Sequence, residues 1–457
     1  MSYIYFKPIP EIYICKLPQS TIYYLMCTNN PKTLPQKNPI NEVAFDILTL
    51  CDGKHNFDSI VNIFTKKYNE TPVNVENNIY QFINQLVNNY SFDLLKSSIP
   101  VNACPSIINE QNDYPTVATL EITNNCNLRC RHCYGSYGRE LNQQLSLNQC
   151  KKIISDLATI KINILEITGG DPSVHPDISD IIRYALQQGI PKVMLLTNGV
   201  YMSNSLQRVL VENKNNIFVQ IDLHSLDSSY FDWFTQSCGN LEKVKNNILT
   251  LTNEGVNIRV ASIFTSKNIN EIFQIAEWCH DSGVELYSPS IVTPLGRAET
   301  DSSSAAPLFL NENQVLIFNR EIKKVNNYFP NMIIQPQNLN TNCGAIVSHV
   351  SINSAGLIKL CNMDTAKYFS IPLGNALKTS IKEIYDNNKK FLAVLRKTIA
   401  PYPESKFCKM CRYKIECGHC LLRSLKHFRE IGTECKWYSN NKNGAKILPY
   451  IHFMEEN

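Results

Sequence analysis

The chain has 457 residues, too many for one ordinary domain, and 44% of them are apolar, so a sizeable core is available. Its 44 Lys and Arg against 40 Asp and Glu leave a net charge of +4, too small to argue for nucleic acid or a bilayer surface as partner. No run of about 18 apolar residues marks a transmembrane helix, and Met1-Ser-Tyr-Ile-Tyr-Phe-Lys-Pro8 lacks the basic and apolar regions of a signal peptide. The expectation is a cytoplasmic protein that inserts in no membrane and binds no nucleic acid.

Residues 1–98 read as one unit. Tyr13-Ile-Cys-Lys-Leu17 and Thr21-Ile-Tyr-Tyr-Leu-Met26 look like paired strands, and 41–51 has helical spacing that stops at Asp52-Gly53. Two more amphipathic helices are expected near 57–69 and 74–89. Strands followed by three helices suggest a small winged-helix module. The segment 99–115 holds Pro100, Pro105 and Pro115 among several Asn and reads as a linker.

From 116 to about 300, β and α signals alternate, within a core domain expected over 116–335. Apolar strands are expected at 117–122, 163–168, 192–197, 217–223, 257–263 and 285–290, with helices near 145–158, 176–188, 204–213, 239–254 and 269–282. Six βα units imply an α/β fold with a parallel sheet and right-handed crossovers, either doubly wound or an open barrel. In such folds the site lies at the C-terminal ends of the strands. Three unusual segments fall there: a loop with Cys126, Cys130 and Cys133 after the first strand, Gly169-Gly170-Asp171-Pro172 after the second, and Thr197-Asn198-Gly199 after the third. Each of the last two alone is an ordinary turn signal. Independent motifs converging on one rim are harder to explain as packing.

The chain holds 17 cysteines. In a reducing compartment they read as metal ligands or small hydrophobes rather than disulfides. Cys15, Cys27, Cys51, Cys104, Cys150, Cys238 and Cys279 are scattered, mostly among apolar neighbours, and are expected to be packing. Cys126, Cys130 and Cys133 sit on one loop and suit a metal or iron–sulfur cluster, and their odd number leaves one coordination position open. A zinc knuckle needs a fourth ligand, and His132, between two of the thiols, supplies it only with strained geometry. Cys343, Cys361, Cys408, Cys411, Cys417, Cys420 and Cys435 occupy a region, 336–457, with short elements, as expected where metal clusters replace part of a hydrophobic core.

Cys126-x3-Cys130-x2-Cys133 followed by Tyr134, in register with Gly169–Pro172 and Thr197–Gly199, resembles the radical S-adenosylmethionine enzymes. The resemblance implies a partial (β/α)6 barrel. It implies that the three thiols hold a [4Fe–4S] cluster whose open iron chelates the amino and carboxylate groups of S-adenosylmethionine. Cofactor contacts are then expected from Tyr134, Gly169, Gly170, Asp171, Asn198, Asp222 and Arg259. The Gly pair would let the backbone approach the methionyl group. Asp171 stands where the family usually has Glu, keeping the carboxylate with a shorter reach. Arg259 alternates with Ile258 and Val260, which suits either a cofactor carboxylate or a structural ion pair. Asp222-Leu223-His224-Ser225 departs from a Ser-Leu-Asp-Gly-like strand end, so Asp222 takes over the role of Ser or the substrate chemistry differs. His224 is either a proton-transfer residue or structural.

The second Cys group, with Gly356 before Cys361, resembles the SPASM extension, which carries auxiliary iron–sulfur clusters in radical enzymes that modify peptides. It departs in having only Gly418 and His419 between Cys417 and Cys420, where three residues are usual. Seven thiols cannot fill two four-cysteine sites. The resemblance implies Cys408, Cys411, Cys417 and Cys435 around a closed [4Fe–4S] cluster, and Cys343, Cys361 and Cys420 around an open one able to take a substrate thiolate. In the alternative, Asp364 fills the gap. A zinc ribbon is the reading of 408–420 outside the family.

Residues 44–53, 60–68 and 75–87 resemble the peptide-recognition module of ribosomal-peptide maturases, PqqD-like and winged-helix. There a leader peptide adds as a strand to a sheet edge. A DNA-binding winged helix is the alternative, and the segment lacks a dense basic stripe. The order of the three parts resembles sactisynthases of the subtilosin type, with further matches at Asn125, Val174-His175-Pro176, Pro294-Leu-Gly-Arg297-Ala298 and Leu373-Gly374-Asn375. The implied activity is thioether formation from Cys sulfur to an α-carbon in a precursor peptide with a leader, driven by a flavodoxin- or ferredoxin-type electron donor. Epimerisation, C–C crosslinking, a non-peptide substrate such as a tetrapyrrole, and a zinc-bound peptide binder without catalysis are the competing readings.

Overall fold

The computed structural model describes residues 3–6, 12–16, 23–27, 36–90, 94–100, 106–108, 114–138, 143–300, 308–333, 343–371, 373–398, 400–418, 420–440 and 444–454. The chain forms two compact units, Met1–Asp113 and Tyr114–Asn457.

In the first unit, Asn41 and Asn56 cap α1 (Glu42–Leu50) and α2 (Phe57–Tyr68), their side chains accepting from Ala44 N (2.7 Å) and Ser59 N (2.8 Å). With α3 (Pro72–Tyr90) they bury one apolar stripe each, and Phe45, Leu48, Ile60, Phe64, Ile79 and Ile83 share a core. The expected strand pair is present as β2 (Ile12–Lys16) and β3 (Tyr23–Cys27), antiparallel. β4 (Gln36–Ile40) pairs with β3 on its other side. A second sheet, not foreseen, sets β1 (Tyr3–Phe6) between β5 (Asp52–Asn56) and β6 (Leu94–Ser97). The polar run Asp-Gly-Lys-His-Asn of β5 has no strand-like alternation and reads as a turn. The segment read as a linker contains β7 (Ser106–Ile108), which pairs parallel with β2.

The second unit is built on an eight-stranded sheet. Its first six strands are β8 (Val117–Thr123), β9 (Ile164–Gly169), β10 (Lys192–Thr197), β11 (Ile217–Asp222), β12 (Asn257–Phe264) and β13 (Leu286–Ile291). They lie parallel and in unbroken sequence order. A doubly wound sheet reverses its order at a switch point, so the open barrel is the outcome. The crossovers carry α4 (Leu147–Thr159), α5 (Ile178–Gln187), α6 (Asn204–Glu212), α7 (Ser228–Thr235), α8 (Leu241–Asn253) and α9 (Ile272–Asp281). Strand residues such as Leu120, Leu165, Val193, Val219 and Ile258 pack with Ile153, Ile181 and Val244 of the helices in one core. The alternate residues include Thr119, Glu121, Glu166, Gln220 and Arg259, so the other face of the sheet is polar.

β14 (His349–Ile352) extends the sheet by pairing parallel with β8, and β15 (Ile358–Lys359) pairs antiparallel with β14. The Cys-rich region therefore continues the barrel sheet from its first edge. Among the described residues no helix is long and apolar enough to cross a membrane.

The scattered cysteines divide. Cys51, Cys150 and Cys279 are buried, as packing requires. Cys238 is exposed, at a turn between α7 and α8, and is not a core residue. The side chains of Cys15, Cys27 and Cys104 lie outside the described residues.

Candidate active site

Three loops at the C-terminal ends of β8, β9 and β10 build the site. Gly170 N donates to Thr123 O (2.7 Å) and Asp171 N to Asn125 O (2.8 Å), stitching the β9 loop to the root of the three-thiol loop. That closeness demands glycine. A Cβ on Gly169, which sits at φ +142°, would lie 2.1 Å from Thr123 O, and one on Gly170 would lie 2.2 Å from Asn125 O. The expected reason for the pair was a bound cofactor; the structure supplies a nearer one, the neighbouring backbone.

Asp171 is fully buried and faces inward, not into the site. Its Oδ1 accepts from Ser173 N (2.8 Å) and Ser173 Oγ (2.5 Å), Thr197 Oγ1 donates to both oxygens (3.0 Å each), and Oδ2 accepts from Asn198 N (2.7 Å). With that many donors the carboxylate joins the β9 and β10 loops. It acts through Asn198, whose Nδ2 donates to Asn127 Oδ1 (2.7 Å) and approaches Cys126 Sγ (3.7 Å).

The loop is clamped from the opposite side by Arg297. Its backbone N donates to Cys133 O (3.0 Å), its Nε to Cys130 O (2.9 Å) and its Nη1 to Tyr137 O (2.8 Å). Gly296 beside it is at φ +58°, and a Cβ there would lie 2.2 Å from Tyr134 O. The Pro294–Ala298 run was noted in the sequence without a role; holding the thiol loop is its role.

α7 backs the loop from behind and was not foreseen, because its aromatic-rich eight residues carry a weak helical signal. Arg129 N and Arg131 N donate to Thr235 O (3.1 Å) and Phe234 O (2.9 Å). His132 stacks on Phe234 (centroids 4.6 Å, 14°) and meets the edge of His224 (4.7 Å). Burial, helped by Arg297, pushes His132 down to about 3. Burial and then His132 hold His224 well below the ordinary imidazole range, while its Nδ1 accepts from Ile263 N (3.2 Å). Both rings pack in an apolar cluster with Phe234, the setting expected of a structural histidine.

These pieces enclose a cavity of about 300 Å³, at the small end for a small-molecule site. Of the residues expected there, Cys126, Cys130, Cys133, Tyr134, Gly169, Gly170, Asn198 and Asp222 line it, and Asp171 and Arg259 do not. Arg259 donates from Nη2 to the Gln220 side chain and lies against Met194 Sδ (3.8 Å), with Glu166 and Asp222 as its nearby charges. Burial and then Asp171 push the Asp222 carboxyl up to about 7.

The donor set fits an iron–sulfur cluster. Three thiols line one cavity, and Leu128 N donates to Cys126 Sγ (3.4 Å), the kind of N–H···S contact that tunes such centres. Cys126 is pushed up to about 12, first by burial and then by Asp171, so without a bound cation it stays a thiol. Among the described residues no three His, Cys, Asp or Glu side chains close around a point as the ligands of a single metal ion do.

The seven distal cysteines fall into two sets. Cys343, Cys361 and Cys420 line one cavity of about 420 Å³ with His349, Ser351 and Arg423. Cys361 is pushed up to about 12 by burial and then by Cys420, Asp364 and Cys343. Cys417 is raised by burial and then by Cys411, Cys435 and Cys408, so those four feel one another's charge. Asp364 does not line the three-thiol cavity. Its oxygens accept from Leu360 N (3.1 Å) and Ala366 N (2.9 Å).

Asn362 and Met363 line both cavities and form the wall between them. Ser351 Oγ donates to Asn362 Oδ1 (2.5 Å) and Lys359 Nζ to Asn362 O (3.0 Å). Lys359 is itself fixed by a buried ion pair with Glu121 on β8 (2.6 Å). No spacing in the sequence marks this pair; a lone Lys between Ile358 and Leu360 is its only sign.

Comparison with known proteins agrees with these parts. The chain matches the Radical SAM superfamily over residues 120–279, coenzyme PQQ synthesis protein D (PqqD) over 39–90, and the SPASM iron–sulfur cluster-binding domain over 343–412. It is 28% identical over 412 residues to the antilisterial bacteriocin subtilosin biosynthesis protein AlbA of Bacillus subtilis, covering 88% of this chain and 89% of that one. An AdoMet-dependent heme synthase of Methanosarcina barkeri is 24% identical over 68% of this chain and 92% of its own. Streptococcus suis SuiB, in crystals with S-adenosylmethionine, superposes with a TM-score of 0.58 at 13% identity, over 89% of this chain and 93% of that one.

Proposed function

Because this chain belongs to the radical SAM superfamily and carries PqqD and SPASM domains, as peptide-modifying enzymes of that superfamily do, we propose that it forms thioether links between Cys sulfur and an α-carbon of a ribosomally made precursor peptide. The observation that carries this reading is the shared wall: a cavity lined by three thiols and the smaller cavity at Cys126, Cys130 and Cys133 have Asn362 and Met363 in common. A peptide thiol held in the first lies next to chemistry begun in the second. The similarity to the subtilosin protein over 88% of this chain supports it further.

In this account residues 1–98 take the leader, 116–335 form the core and 336–457 the auxiliary domain, with 99–115 as the connection. Cys126, Cys130 and Cys133 would hold the first [4Fe–4S] cluster, Cys408, Cys411, Cys417 and Cys435 a closed one, and Cys343, Cys361 and Cys420 an open one. When bound, these clusters and S-adenosylmethionine supply the one-electron reduction and the radical that removes a hydrogen atom from the peptide. The protein's own work is positioning. Arg297 and the Gly169–Gly170 stitch fix the loop, Asp171 orients Asn198 toward Cys126, and Asp222 presents a carboxyl that can hold a proton near neutrality. The Lys359–Glu121 pair fixes the wall that aligns the two cavities. A flavodoxin- or ferredoxin-type protein serves as donor, in the cytoplasm.

The test is anaerobic incubation with the precursor peptide, reductant and S-adenosylmethionine. Thioether formation predicts a product lighter by two hydrogens per link and one fewer free thiol per link. A product of unchanged mass that takes up α-deuterium from solvent would establish epimerisation instead.

A further inference from the structure

The loop between Cys408 and Cys411 carries an arrangement that peptide modification itself does not use. Met410, between the two thiols, is 93% exposed, the most exposed large apolar side chain among the described residues. Lys406, Lys409 and Arg412 surround it in sequence and are all exposed. Lys406 Nζ lies 5.1 Å from the Phe407 ring and the Arg412 guanidinium 4.7 Å from the Tyr413 ring, which is stacked on His427 at 4.2 Å. Lys406 and Arg412 are thus seated on aromatics. Of the acids in 404–416, Glu416 is engaged by His427 Nε2 (3.2 Å), leaving Glu404 against Lys406, Lys409, Arg412 and Lys414. A single exposed apolar side chain is ordinary. One set between two cluster-type thiols and rimmed by positive charge has no explanation in packing.

We propose that this face docks an acidic one-electron carrier protein, which exchanges an electron with the four-thiol site beneath it. The proposal rests on the reading that Cys408, Cys411, Cys417 and Cys435 hold an iron–sulfur cluster. Joining a thiol to a peptide carbon breaks one S–H and one C–H bond and forms one C–S bond. One hydrogen leaves as an atom to the cofactor-derived radical, the other as a proton to water, and one electron remains for an oxidised carrier to accept. That electron equals the one a reduced carrier supplied to start the reaction, so the cycle balances. A small apolar contact within a charged rim suits the weak, fast encounters of redox partners, which charge steers and salt weakens.

The experiment uses the reconstituted full-length enzyme and purified flavodoxin as the probe. Flavodoxin binding is measured at low and high salt, and turnover is driven either by reduced flavodoxin or by dithionite. The combined Lys406→Glu, Lys409→Glu, Arg412→Glu variant is expected to bind flavodoxin on the order of 10-fold more weakly and to lose most of the salt dependence. Its dithionite-driven turnover and iron content should match the unaltered enzyme. Met410→Ala should give a smaller loss of the same kind. Gln replacements at the three cations run alongside, so that a loading defect in the Glu set does not decide the outcome. Unchanged flavodoxin affinity in the fully loaded Gln and Glu variants overturns the proposal. So does a loss of affinity from Lys267→Glu alone, because Lys267 lies against Trp233 (4.3 Å) behind the other thiol loop. Loss of precursor-peptide binding in the triple variant would reassign the face to the substrate. Iron counted on the unaltered enzyme tests the underlying cluster reading separately.

Discussion

The loop of Cys126, Cys130 and Cys133 hangs from protein on every side, whereas the seven distal thiols come from separated segments joined by short elements. Around the first, backbone groups of Thr123, Asn125, Thr235 and Phe234 and the guanidinium of Arg297 fix the chain before any ligand arrives. Around the second, β15 is two residues long and the helix Lys414–Cys417 is four. Both regions share one apolar core, to which the Cys-rich region gives Val350, Phe369, Tyr385, Phe391, Leu425 and Tyr438, but the segments that carry its thiols are short and separated. The first site is thus held on one loop by the fold, whereas the thiols of the second are gathered from distant segments of the chain.

The largest expected effect breaks the comparison at its strong end. Cys130→Ala should reduce S-adenosylmethionine cleavage to background and remove one cluster's share of iron, while the thermal transition of the barrel stays in place. Chelating the iron should do the reverse to structure: hydrogen exchange is expected to rise across 343–435 and to change little in β8 to β13. Arg297→Gln keeps the thiols but loosens the clamp on Cys130 and Tyr137, and a fall in activity or cluster retention of about 10–100-fold is expected. A smaller loss follows from Gly170→Ala, whose methyl meets Asn125 O at 2.2 Å. Unfolding by denaturant should show a cost of about 1–3 kcal/mol.

The smallest effect is a matter of acid. Glu299, on the short helix Arg297–Thr300, is bonded by Lys426 (2.8 Å), Lys367 (3.1 Å) and Tyr368. Burial works against its carboxylate, but bonds from Lys426, Tyr368 and Lys367 outweigh it and hold the group at about 2, against 4.5 when free. The sign follows directly: the bonds stabilise fully above pH 4.5 and their contribution fades as pH falls toward 2. Glu299→Gln should flatten acid sensitivity within that window, read as the pH dependence of the denaturation midpoint.

Much of the barrel was legible because its strands are apolar runs and its crossover helices carry a regular stripe. All six strands lie within about two residues of their expected positions. α7 was missed because Tyr230, Phe231, Trp233 and Phe234 suit a strand as well as a helix. β14 was missed because four residues joining a sheet across a long sequence separation leave no local pattern. The three-thiol loop stood out only together with Gly169–Pro172 and Thr197–Gly199, and the structure brings all three segments to one cavity. The partners of Asp171 were not legible, because a carboxylate in a motif does not say which way it faces, and here Ser173, Thr197 and Asn198 donate to it. Nor did spacing tell the partners of Asp364, whose oxygens accept from Leu360 N and Ala366 N. The wall of Asn362 and Met363, which does most to link the two sites, has no sequence signature at all.

The division of labour across that wall can be measured in one variant. With Cys420→Ala in the anaerobic assay, 5′-deoxyadenosine formation from S-adenosylmethionine and thioether formation in the peptide are followed together. Deoxyadenosine is expected to be produced still, because the loop of Cys126, Cys130 and Cys133 is held independently, while thioether links disappear. Retention of both products, or loss of both in a variant whose first cluster is intact, would contradict that division.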